Sequence, residues 1–324
     1  MPKNIQNLLL RYTTLIMFVV LVLVFALLAP RFFGLENILN IIKQASFVGI
    51  VAVGIIFVLL TAGIDLSVGA VMYLAPLIAG FAMRSWGIGV FPALLICLLA
   101  GLVMGAINAF FIVRLNIIPF IVTLSSLFAF RGAGTFLTQS TQFDFPQRML
   151  EFGQTRLLGI AMPIIVFVIV VALAYVVLKQ TPFGRQIYAI GNDPEVARKA
   201  GLPVKRTLAS VYIISSVCAA LGGFILISQI GRLDQSFGEG REFDVIAAAV
   251  LGGTSLFGGV GGALAAVIGS VFIQTVNNGL IFANINLYLQ PIVQAGIIFL
   301  AVFFDSLRET NMQKLKRRLI RAKN

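Results

Sequence analysis

Apolar runs recur along this chain from Thr13 onward, and no polar interval between them exceeds about 30 residues. A helix of roughly 20 apolar residues crosses the hydrocarbon core of a bilayer. The repetition therefore predicts an all-α integral membrane protein, with a single transmembrane domain over residues 1–324. Charged residues make up only 11% of the chain and hydrophobic ones 59%, whereas a soluble domain carries about 25% charged residues. No interval is left for a sizeable soluble domain.

The runs predict about ten transmembrane helices, some of them broken. The expected spans are 13–28, 46–62, a third ending near 83, 90–113, 117–137, 162–178, 208–230, an eighth from 245, then 263–282 and 287–304. The first lacks a small-x-small cleavage site after it and is expected to stay in place. Residues 35–44 read as a separate amphipathic helix at the outer interface. The second span breaks at Gly63-Ile64-Asp65-Leu66-Ser67-Val68-Gly69, and the eighth at Gly252-Gly253-Thr254-Ser255-Leu256-Phe257-Gly258-Gly259.

Charge sets the expected topology. The net charge of +12 gathers at the N-terminus, in the 179–207 loop and in the 308–324 tail. Ten spans place all three on one side, which the positive-inside rule makes cytoplasmic, so both termini are expected inside. The chain is then a multi-pass protein of the cell inner (cytoplasmic) membrane. Nothing in this distribution suggests nucleic acid, which needs a basic face with aromatics or a recognised fold. The tail either meets anionic lipid headgroups or simply sets topology.

No catalytic constellation is present. Histidine is absent, and Cys97 and Cys218 lie inside apolar runs as small core residues, so neither a metal site nor a disulfide is expected. The polar breaks in the spans carry the remaining signal. Asp65 reads either as a cap for the third span, with Gly63 stopping the helix before it, or as a carboxylate lining an aqueous path. Arg131 sits mid-span, where a lone cation is costly, so it should snorkel, face a water-filled cavity or find a partner, with Asp144 or a polar outer-loop group as the candidates. The 252–262 cluster lacks the lysine of a phosphate loop and reads as a turn with close helix packing. Asn277 and Asn278 either bond between helices or line a pathway. With Thr61, Ser67, Gly253, Thr254 and Ser255 they complete the pathway candidates. Thr123, Ser125 and Ser126 add to the modest polar content of the spans.

The 179–207 loop holds six Lys or Arg against Asp193 and Glu195. Residues 193–199 read as one or two helical turns, capped by Asn192 or Asp193, with Pro194 at a first helical position and Gly201 at the exit. A short capped helix beside a membrane domain is a natural docking knob.

These motifs occur together, in this order, in one family. Gly63 to Gly69, Phe183-Gly184-Arg185-Gln186-Ile187-Tyr188-Ala189-Ile190-Gly191-Asn192, Ala247-Ala248-Ala249-Val250-Leu251-Gly252-Gly253-Thr254-Ser255-Leu256 and Asn277-Asn278-Gly279-Leu280 resemble permease subunits of bacterial ABC importers for ribose, xylose, galactose and arabinose. The resemblance covers essentially the whole chain. It implies a permease that is not itself an enzyme, paired with a second copy or a close paralogue. It implies a cytoplasmic ATPase that uses ATP and Mg and docks on Gly184 to Gly201, and an extracytoplasmic sugar-binding protein that confers selectivity. Arg185, Glu195 and Arg198 would be the polar contacts with the ATPase and Tyr188 and Ile190 the apolar ones, framed by Gly191, Asn192 and Gly201. Related permeases also serve nucleosides or a furanone signal. A proton-coupled transporter using Asp65, or a membrane scaffold, are the readings outside the family.

Overall fold

A computed structural model describes residues 13–28, 30–300 and 303. Helices dominate: α1 (Thr13–Leu28), a 3-10 turn (Pro30–Phe33), α2 (Leu35–Leu60), α3 (Val68–Trp86), α4 (Val90–Ala109) running into a π-turn (Phe110–Arg114), and α5 (Pro119–Thr138). There follow α6 (Gln147–Gln154), α7 (Met162–Gln180), α8 (Pro182–Asn192), α9 (Pro194–Lys199), α10 (Val204–Ile230), α11 (Arg241–Leu251), α12 (Ala263–Phe282) and α13 (Gln290–Leu300). Seven of them, α2, α3, α4 with its π-turn, α5, α7, α10 and α12, are long and apolar enough to cross a membrane among the described residues. The other three expected spans are the shorter helices α1, α11 and α13. The basic tail, 308–324, and the N-terminal basic residues lie outside the described residues.

Two expectations change. Residues 35–60 form one helix rather than an interfacial helix followed by a span. No proline interrupts them, and the Ser46 hydroxyl donates back to the Ile42 carbonyl within the helix. At about 1.5 Å per residue this helix is near 39 Å long, enough for a span plus an interfacial turn. The eighth run, by contrast, yields only the 11-residue α11, about 16 Å long and so too short to cross about 30 Å of hydrocarbon. Gly252 faces the backbone of Ala265, and Gly269 that of Ala248, so α11 and α12 fold back on each other with almost no side chain between them.

The chain divides into two compact units, residues 42–271 and residues 1–41 with 272–324. In the smaller one, Gly279 lies under the Phe25 ring, and Phe32 contacts Phe25 and Phe282 with ring centroids 5.7 and 6.1 Å apart.

In the larger unit, small residues let helices approach closely, the packing mode that suits a lipid environment. Gly101 and Gly105 of α4 lie on Ser216, Ala220 and the backbone of Ile213 in α10. Gly222 lies on Val51 of α2, and Gly223 on the Met72 backbone of α3. In the most apolar stretches of α2 and α3, 83% and 78% of residues are buried, against 28%, 22% and 28% for α4, α5 and α7. The first two form the interior, and the last three present an apolar rim. Two loops meet beyond the helices: Phe143 and Asp144 pair antiparallel with Leu233 and Arg232, and Arg84 sits 4.8 Å over the Phe143 ring.

Candidate functional site

The polar 179–207 interval is not a loop carrying one short helix; it folds as two helices, α8 and α9. Thr181 opens α8 by accepting the Gly184 N–H at 3.2 Å, and Pro182 follows at a first-turn position. Asp193 both ends α8 and caps α9, accepting N–H bonds from Glu195 and Val196 at 2.9 and 3.0 Å. Pro194 takes the first helical position, and Gly201, at φ +79°, provides the left-handed exit that glycine adopts without strain. The α8 helix went unread because Gly184 and Gly191 lower its propensity. Both are needed for close contact: Gly184 abuts the Val177 and Leu178 carbonyls, and Gly191 abuts the Leu60 carbonyl and the Gly259 N–H.

These contacts make α8 part of the membrane domain. The Gly259 N–H donates to the Leu60 carbonyl at 3.0 Å, Gly258 lies against the Gly191 carbonyl and Ala62, and the Asn192 side chain covers Gly259. The Tyr188 hydroxyl donates to the Gly261 carbonyl at 2.9 Å. Burial raises the Tyr188 phenol pKa, which keeps it a donor. The end of α8 thus meets two chain breaks at once: the one after α2 and the glycine-rich turn between α11 and α12.

The opposite side of the pair is free. Arg185, Glu195 and Arg198 are exposed, and Arg198 pairs with Glu195 at 2.6 Å. Ile190, however, is only 2% exposed and packs inside the chain, so the exposed apolar residue of the pair is Val196, at 60%. Composition alone could have located it: Val196 is the one large apolar side chain on a six-residue helix.

The pathway candidates fall into separate places. Asp65 is 1% exposed and fully engaged. Its Oδ1 accepts the Ser67 N–H and hydroxyl at 3.0 and 2.6 Å, and its Oδ2 accepts the Ser215 hydroxyl at 2.7 Å. Asn108 Nδ2 donates to the Ser67 Oγ at 2.9 Å, and the Ser126 hydroxyl to Asn108 Oδ1 at 2.6 Å. Thr123 donates to the Ile64 carbonyl at 3.3 Å. One buried network therefore joins the α2–α3 break to α4, α5 and α10. The left-handed residue ending α2 is Ala62, at φ +58°, rather than Gly63, which is held against the Tyr212 hydroxyl. Asn108 and Ser215 were hidden in apolar runs. A single Asn mid-span is the signal that would have marked the first.

Thr61 bonds back to the Val58 carbonyl at 2.8 Å. Thr254 is buried under Gly261, Ser255 accepts the Phe257 N–H at 3.1 Å, and Gly253 sits at φ +101°. These three line the turn that α8 packs on. Asn277 and Asn278 lie on α12 in the smaller unit, Asn278 buried.

Arg131 takes its partners from the 231–240 loop, not from Asp144, which accepts from Gln142 instead. Its Nη1 donates to the Gln235 and Phe237 carbonyls at 2.9 and 3.3 Å, and its guanidinium lies 5.9 Å from the Tyr73 ring centroid. Glu242, 6% exposed, rests on Gly69 at the start of α3, where the helix dipole favours a carboxylate. Among the described residues, the buried Arg131 Nη2 and Glu242 Oε2 each lack a hydrogen-bond partner. Glu242 escaped notice because it follows a polar loop and reads as solvated.

Among the described residues, no cluster of His, Cys, Asp and Glu could hold a metal. The arrangement is an exposed polar face on one side of α8–α9 and backbone contact with two helix breaks on the other.

Comparison with known proteins places the chain in a family. The family described as branched-chain amino acid transport system / permease component matches residues 37–302. The chain is 36% identical to the ribose import permease protein of Haemophilus influenzae, over 94% of this chain and 95% of that one. It is 38% identical to the ribose import permease protein of Bacillus subtilis (88% and 89% covered) and 35% to the D-allose transport system permease protein of Escherichia coli (92% of each). No solved structure matches.

Proposed function

Because the chain belongs to the branched-chain amino acid transport system / permease component family, a group of multi-pass membrane permeases, we propose that it is the membrane-spanning subunit of an ATP-driven monosaccharide importer. The substrate is a sugar of the ribose, allose and galactose class, after its ribose, D-allose and galactose/methyl galactoside permease relatives. A cytoplasmic ATPase consumes ATP and Mg, an extracytoplasmic binding protein delivers the sugar, and a second permease copy or paralogue completes the pathway. The protein resides in the cytoplasmic membrane, with both termini and the α8–α9 pair on the inner side, as its basic residues ask; that parity has the 252–262 turn complete the crossing that the short α11 begins.

The observation that carries this reading is the double-sided nature of α8–α9. One side presents Arg185, Glu195, Val196 and Arg198 to solvent; the other touches the chain breaks after α2 and after α11 through backbone atoms. A partner that moves α8 therefore moves both breaks. Irregular backbone at membrane depth is where transporters place their moving parts. The Asp65 network supports an anchoring role for that residue, since every oxygen of its carboxylate already has a donor.

The test is reconstitution of the chain with its ATPase and binding protein in proteoliposomes, measuring ATP-driven uptake of ribose, allose and galactose. ATP-dependent uptake of at least one sugar, lost without the ATPase, is the expected result. Uptake driven by a proton gradient with no ATPase would overturn the importer reading. ATP-driven uptake of nucleosides alone would overturn the sugar.

A further inference from the structure

We propose that the groove between the end of α4 and the start of α10 binds one anionic phospholipid. The cavity measures about 340 Å³. Ala106 and Ala109 of α4 and Ala209 of α10 leave its floor shallow, and Phe110, 54% exposed, flanks it. Arg114, closing the π-turn, and Lys205, in the first turn of α10, also line it, and both are exposed. The two cations sit at the same end because α4 finishes where α10 begins.

Three features select an anion with an apolar tail. Neither α4 with its π-turn nor α10 contains an Asp or Glu, and among the described residues neither Arg114 nor Lys205 forms an ion pair. The first turn of the 27-residue α10 has no side-chain cap, so its positive dipole end points to the same place. The remainder of the trough is alanine, valine, isoleucine and phenylalanine, which suits an acyl chain. A phosphate at Arg114 and Lys205 with one chain along Ala106 to Phe110 satisfies all three. Basic pockets between membrane helices take such headgroups. A second copy of this chain seated on the groove about a twofold axis would bring its own basic end against this one.

The position gives the lipid a consequence. Two residues beyond Lys205, the Thr207 hydroxyl donates to Gln186 Oε1 of α8 at 3.2 Å. A headgroup held there braces the base of α10 where it meets α8.

The test uses the full chain, purified in mild detergent and titrated with phosphatidylglycerol or phosphatidylethanolamine under native mass spectrometry. Wild type is expected to retain phosphatidylglycerol preferentially. Arg114→Gln/Lys205→Gln should weaken that retention by roughly five- to thirtyfold, at about fivefold per cation near a membrane surface, and leave phosphatidylethanolamine unchanged. Arg114→Lys/Lys205→Arg should restore it, which a loss through misfolding would not. A photoreactive acyl chain on phosphatidylglycerol should label peptides containing 106–113 or 209–213. Equal retention by the Gln double variant, labelling confined to other peptides, or disulfide cross-linking of Ala209→Cys between two copies would each overturn the proposal.

Discussion

Gly191→Ala tests the junction between α8 and the chain breaks most directly. A Cβ at this position would land on the Leu60 carbonyl oxygen and 2.7 Å from the Gly259 nitrogen, both backbone atoms. No rotamer change can make room, so α8 has to move away from the end of α2. Overpacking costs about 1–3 kcal/mol. If the shift also breaks the Gly259–Leu60 hydrogen bond, 3.0 Å long, a further 0.5–1.5 kcal/mol or so is lost. Together that is about 1.5–4.5 kcal/mol, a fall of very roughly 3–12 °C in melting temperature. Gly132 is the control: it is helical, and an added Cβ meets nothing within 4 Å. Its replacement by alanine should be neutral or gain up to about 1 kcal/mol of helix propensity. The assay is thermal unfolding of each variant in nanodiscs, followed by ATP-driven sugar uptake with the partner subunits. Gly191→Ala should melt earlier and lose most of its uptake while Gly132→Ala keeps both. Wild-type melting and uptake in Gly191→Ala would refute the idea that this contact is tight and transmits motion.

Further outcomes are expected elsewhere. Val196→Asp, at an exposed site on α9, should leave melting within about 0.5 kcal/mol of wild type yet weaken co-purification of the ATPase at least tenfold; unchanged association would remove Val196 from the docking face. Ser215→Ala removes one donor to the Asp65 carboxylate and should cost about 1–3 kcal/mol, with non-additivity against Asn108→Leu in a double-mutant cycle; strictly additive melting shifts would argue against a single network. Arg131→Met frees the Gln235 and Phe237 carbonyls, so amide exchange across 231–240 should accelerate, and an unchanged exchange rate would show that the guanidinium does not hold the loop. Cys97 and Cys218 are buried and should resist maleimide until the protein unfolds; rapid labelling of the folded protein would contradict their placement.

Some of this architecture was legible in residue patterns. Asp193, Pro194 and Gly201 spell a helix start and stop through local chemistry, and local chemistry decides such ends. The glycine cluster signalled close packing, and it packs closely. What escaped depends on tertiary partners. The α8 helix is held by the burial of Ile187 and Ile190, which no window of sequence reveals, so Ile190 looked available to a partner when it is not. For Arg131 the sequence offers both Asp144 and a polar outer-loop group; the outer loop serves, through carbonyls about a hundred residues away, and no window of sequence chooses between the two. The split of the eighth run into α11 and a turn was visible as glycine. α11 stops short of a span because it ends at Leu251, where the glycine cluster starts, although it begins four residues before the expected 245.

The backbone contact among Gly191, Leu60, Gly258 and Gly259 bears on how such proteins can be recombined. Most interfaces tolerate exchange because side chains repack; here the closest contacts are between backbone atoms, which cannot repack. Grafting residues 179–207 from another permease to redirect this chain toward a foreign ATPase would import one half of a fitted joint. A working chimera should need residues 258–261 and the 60–62 turn from the same donor. The unit of exchange in this protein is therefore a discontinuous set of three short segments, although the surface proposed to meet the ATPase belongs to only one of them.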